Sequence, residues 1–268
     1  MILSLFQSIF SKRKIAPKTS KIAKAQLVVE SLESRVVPTA WIYTGTTPGN
    51  WSDGANWDSG VAPSIGGTAV FDAGDGPCNY DGSAFRVGKL ILNNYSSTLY
   101  IPDNFMVTQQ LVLAGGEIRF TSSAVGHRNL YIYNPTGNSS WTSGTIWGEA
   151  NGNSDPGSIQ VDTTLTISGS MTTDHNLAIN SSPGIYGGKV ILSSANINFY
   201  RPVWTSSSNG FVSIAEEAAL RVTGTSSMLN TYETFAYLPY IDNYGEVKVD
   251  SGESFTDRRA KKFKLFGR

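Results

Sequence analysis

Between residues 87 and 250 the apolar residues arrive in short alternating bursts: KLILNN, STLYIP, QQLVLAGGEIRF, NLYIYN, GSIQVDTTLTISG, HNLAIN, GKVILSSANINFY, GFVSIAEEAALRVTG and YGEVKVDSG. Each has period two and is bounded by Gly, Asn, Ser or Asp, the pattern of short strands with one face in a core. A helical period is confined to AEEAAL at residues 215–220 and part of the N-terminal tail. The bursts pair as strand, tight GG or SS turn, strand, as at 111–120 and 190–200. Such units recur at roughly 20 to 30 residues, the spacing of a solenoid coil that buries its inward residues against the coils above and below. The expected fold is all-β, a right-handed parallel β-helix. A β-sandwich of antiparallel hairpins is the alternative, because strand, tight turn, strand is equally a hairpin signal.

The segment GNWSDGANWDSGVAPSIGGTAVFDAGDG, residues 49–76, sets Trp51 and Trp57 in turn-forming residues just ahead of an apolar TAVF. The SDGAN between them is turn chemistry, so the two indoles are expected to fold over one another and cover the open end of the first coil. An uncovered end would expose apolar side chains and unpaired strand edges.

Charge divides the chain into three. Residues 1–40 carry seven Lys/Arg against two Glu, and residues 257–268 carry six against one Asp. The middle, 41–256, holds eight basic and eighteen acidic residues, net −10. The expected organisation is a basic export or sorting segment at 1–40, a β-solenoid at 41–256 and a basic tail at 257–268. An acidic body argues against nucleic acid as a partner, since phosphate neutralisation needs a basic face. The apolar N-terminal start is too short to span a bilayer, so no transmembrane segment is expected.

The LESRVVPTA stretch resembles the Leu-Glu-x-Arg-x-x-Pro-x-Ala element of secreted and surface proteins of planctomycete bacteria, with Leu32, Glu33, Arg35, Pro38 and Ala40 in place. That resemblance implies export to the cell surface or medium, processing near Trp41, and a repetitive β-rich body. YNPTGNSSWTSGTIWG is similar to a rung of autotransporter-like β-helices. Those families include adhesins and matrix proteins, so the expected role is structural, adhesive or matrix-forming, with polysaccharide or other cell-envelope components as partners. A carbohydrate-active β-helix that binds or cleaves polysaccharide is the alternative.

Candidate sites are few. Among Trp41, Trp51, Trp57, Trp141, Trp147 and Trp204, the pair Trp141 and Trp147 is the candidate carbohydrate contact, because flat indole faces stack on pyranose rings. The single cysteine, Cys78, and two distant histidines, His127 and His175, fall short of a zinc ligand set. Neither FDAGDG (Asp72, Asp75) nor ANGNSDPG (Asn151, Asn153, Asp155) reproduces a calcium loop, so turn formation explains them. Catalysis on a β-helix needs clustered carboxylates with a base. The body's acids sit coils apart, Asp162, Asp174, Glu216 and Glu217 are the only central candidates, AEEAAL reads as a solvated face, and phosphate-loop, dinucleotide and nucleophile-elbow motifs are missing from the body. No catalytic residue, metal ligand or cofactor is therefore assigned.

Overall fold

The computed structural model describes residues 37–121, 128–133, 138–148, 157–173, 175–179 and 188–200. Beyond these it describes strands at 211–214, 219–222, 226–232, 235–237, 240–243, 246–249 and 255–256. All belong to the unit Val36–Arg268.

The alternating bursts are strands, and they stack in parallel as a β-solenoid. One register column runs Phe71, Leu92, Leu113, Trp141, Ile167 and Leu192, continuing in register to Val222 and Val249. Successive members lie between 21 (Phe71 to Leu92) and 30 residues (Leu192 to Val222) apart. The first six are at most 1% exposed. A neighbouring column places Ala69, Leu90 and Leu111 in register, all at 0%. Burying each such side chain stabilises by about 1.5–3 kcal/mol, so a continuous apolar spine holds the coils together.

The double glycines are corners inside single bent strands. Phe105–Phe120 runs unbroken through Gly115 and Gly116, and Lys189–Tyr200 runs through Ser194. Hairpins would pair these halves antiparallel with each other, whereas each half pairs in parallel with the coil before and after. The β-sandwich alternative is thereby excluded, and among the described residues only Ser226–Tyr232 with Phe235–Tyr237 forms an antiparallel strand pair. The corner residues share a backbone conformation: Asn94 (φ 51°), Gly116 (φ 68°), Gly144 (φ 91°), Gly169 (φ 83°) and Ser194 (φ 54°) all lie in the left-handed region. At Gly144 a Cβ would also stand 2.7 Å from the Gly116 carbonyl oxygen of the coil below, so glycine answers both the dihedral and the close approach.

Residues 219–220 of AEEAAL lie in the strand Ala219–Val222, paired with Lys189–Tyr200 and Glu246–Val249, which replaces the expected helical period there. Residues 215–218 lie outside the described residues.

The first coil is closed by the aromatic cap. Trp57 meets Trp41 edge-on at 5.0 Å and Trp51 at 4.8 Å, and Phe71 lies 5.7–6.0 Å from all three. The turn between Trp51 and Trp57 is a short 3-10 helix, Gly54–Asn56, whose first turn is tied by the Ala55 N–H donating to Asp53 Oδ1 at 3.0 Å. Trp57 Nε1 donates to the Trp51 carbonyl at 2.7 Å and Trp41 Nε1 to the Gly76 carbonyl at 3.0 Å, so the buried indole N–H groups are satisfied. The sheet begins ahead of Trp41, because Thr39–Ala40 pairs in parallel with Ala69 and Val70 and Thr39 is buried.

Candidate functional site

Trp141 and Trp147 occupy one strand, Asn138–Gly148, at a spacing that would place both on one face of a regular strand. The corner at Gly144 breaks that alternation. Trp141 turns inward, 1% exposed, with Nε1 donating to the Gly144 carbonyl at 3.4 Å. It has no free face for a sugar ring, and the candidate pair is split. Trp147 is half-buried beside the buried Ile146 and lies in register with Arg119, which is in register with Tyr100. Arg119 bonds its guanidinium to Glu117 at 2.7 Å, and Thr98 Oγ1 donates to the same carboxylate at 3.0 Å.

Of the export element, Leu32, Glu33 and Arg35 lie outside the described residues. Pro38 is exposed, and Ala40 sits in the first strand with its N–H donating to Asp58 Oδ1 at 2.9 Å. Trp204, His127, Asn151, Asn153, Asp155, Asp174, Glu216, Glu217 and the tail 257–268 also lie outside.

The remaining chemical groups serve packing. Cys78 is wholly buried, and burial, reinforced by Asp81, pushes its thiol well above the ordinary range, which disfavours the reactive thiolate. His175 is 0% exposed, stacked near Phe120 at 5.1 Å, with Nε2 at 3.1 Å from the Arg128 carbonyl.

The carboxylates fasten turns. Asp75 Oδ2 accepts the Asp72 N–H at 2.7 Å, and Asp72 Oδ1 accepts from Asn93 Nδ2 at 3.0 Å. Desolvation, with the Asp72 charge adding to it, raises Asp75 against the lowering effect of the Asp72 N–H. Asp103 bonds Arg128 at 3.1 Å.

A cleft of about 620 Å³, missed by the sequence reading, opens beside the cap. Its lining comes from residues 62–66, residues 81–84 and Arg86, together with Ser52 and the buried Trp51 and Tyr80. Asp81 clamps its segment to the preceding coil: Oδ1 accepts the Ser52 N–H at 2.7 Å and Oδ2 the Ser52 hydroxyl at 2.6 Å. The Phe85 ring packs 5.7 Å from that of Tyr80. No metal-binding cluster of His, Cys, Asp or Glu occurs among the described residues, and no described helix is long and apolar enough to cross a membrane.

Comparison of the chain with protein-family models, with curated proteins and with solved structures finds no match in any of the three.

Proposed function

We propose that this chain is a non-enzymatic β-solenoid of the cell surface or extracellular space, with a structural, adhesive or matrix role. The observation that carries the proposal is the use to which the carboxylates are put. Asp53, Asp58, Asp72, Asp75, Asp81, Asp103 and Glu117 each hold a turn, an adjacent coil or a neighbouring cation. Polysaccharide cleavage requires instead two carboxyl groups, or a carboxyl group and a base, aimed across one groove at the same bond. The stacked coils supply a repetitive scaffold, and the LESRVVPTA element supplies the argument for export.

Cell fractionation with an antibody against the body tests this reading. The body is expected in the medium or on intact cells in protease-accessible form, and its gene deletion is expected to weaken attachment or matrix cohesion. Protein confined to the cytoplasm, or release of reducing ends or unsaturated products from a polysaccharide panel, overturns it.

A further inference from the structure

The cleft beside the cap has the size of a small-molecule site, which runs roughly 300–1,000 Å³, and its parts sort into three kinds. The first is a segment of fixed shape. Phe85 sits at φ 42°, a strained conformation for a bulky residue, with its ring packed 5.7 Å from that of Tyr80, in a segment that two bonds between Asp81 and Ser52 fasten to the preceding coil. A segment held by its own bonds is formed before any ligand arrives, which lowers the ordering cost of binding.

The second is a set of unspent donors. Ser64, Ser83 and Arg86 line the cleft, are exposed, and make no side-chain hydrogen bond to the protein among the described residues. The third is an apolar panel, in which Ile65 is 45% exposed next to Ala62 and Pro63, together with the buried Trp51 and Tyr80.

Charge selects among ligands with this amphipathic pattern. Asp81 and Arg86 cancel within the cleft, and the body around it is net −10. A phosphate, sulfate or uronate would meet the Asp81 carboxylate as well as Arg86. A sugar hydroxyl both donates and accepts, so it can use the guanidinium, the serine hydroxyls and the remaining lone pairs of Asp81 together.

We propose that the cleft binds a neutral saccharide of one or two pyranose rings. The C–H face of a ring lies against Ile65 and Pro63, and its hydroxyls bond Ser64, Ser83, Arg86 and Asp81. The proposal supplies the surface solenoid with a partner class, and it rests on that reading only for the place where the sugar is met.

Saturation-transfer NMR on the purified full chain, against neutral disaccharides of glucose, galactose, mannose and xylose with galacturonate as the charged comparison, tests it. Transfer is expected to at least one neutral disaccharide. Arg86→Ala should weaken that binding about tenfold or more, the loss of charged hydrogen bonds, and Ser83→Trp should abolish it by filling the cleft. Both positions are exposed, so both variants should melt with the wild type, and melting curves establish that they are folded. Transfer to no neutral disaccharide, transfer that survives Ser83→Trp, or tighter binding of galacturonate overturns the proposal. A chain that binds neutral sugar but stays in the cytoplasm overturns the surface reading alone. A surface-exposed chain that binds none overturns the cleft alone.

Discussion

Replacing Trp57 with Ala is the sharpest test of the cap. Trp57 is 1% exposed and contacts Trp41, Trp51 and Phe71 at 5.0, 4.8 and 5.7 Å between ring centroids. An aromatic side chain buries about 150–250 Å², which at about 25 cal/mol per Å² corresponds to about 4–6 kcal/mol. Measured truncations of buried Phe and Trp cost about 3–5 kcal/mol, so about 4 kcal/mol is the expected loss. Within that figure, the 2.7 Å bond from Nε1 leaves the Trp51 carbonyl without its partner. For a body of this size each kcal/mol moves the melting midpoint by about 2–4 °C, so a fall on the order of 10 °C is expected by circular dichroism. Trp57→Phe keeps most of the apolar area and loses the indole bond, and should cost about 1–2 kcal/mol. In hydrogen exchange the loss should first loosen the amides of Thr68–Phe71 and Arg86–Asn93, because a solenoid couples only neighbouring coils. A midpoint within about a degree of wild type, or equal losses in the Ala and Phe variants, would refute the reasoning that buried aromatic area closes this end.

Gly144→Ala forces a side chain into φ 91° and 2.7 Å from the Gly116 oxygen, and should cost at least about 1–3 kcal/mol in denaturant titration; a neutral result would show that the corner relaxes freely. Burial raises both Cys78, from an ordinary value of 9.0, and Tyr95, from 10.0, so folding favours their neutral forms. That contribution is complete below about pH 9 and is lost as pH rises through the raised values, so the melting midpoint should fall above pH 9, less steeply in Cys78→Ala, and an identical slope in that variant would discount the thiol. Asp81→Asn preserves shape but weakens the bonds from Ser52, and should cost about 1 kcal/mol and speed exchange of the Ser52 amide; unchanged exchange would show that the clamp is dispensable.

The strands were legible because inward Leu, Ile and Val alternate with polar residues at period two, and the cap because SDGAN permits only a tight reversal between Trp51 and Trp57. Gly115 and Gly116 were ambiguous for a physical reason. A hairpin turn and a solenoid corner both call for positive φ, and what separates them is the pairing of Leu92 with Leu113 and of Leu113 with Trp141, contacts a whole coil away. An indole that can stack on sugar is equally able to fill a core, and composition alone did not reveal that Trp141 lies in the buried register column between Leu113 and Ile167. Thr39–Ala40 is too short a strand to read from alternation. The cleft left no local mark at all, because its clamp joins Ser52 to Asp81, residues that meet only once one coil is laid on the next.

The register that stacks Phe71, Leu92, Leu113, Trp141 and Ile167 has a mechanical consequence. Coils stacked this way hold one another through many neighbouring contacts, whereas a coil peeled from the stack gives up only those to its neighbour. Freed coils of 21 to 30 residues would each lengthen the tether by roughly 70–100 Å. Under tension the coils would therefore pay out in discrete steps whose lengths follow the spacing of the register column.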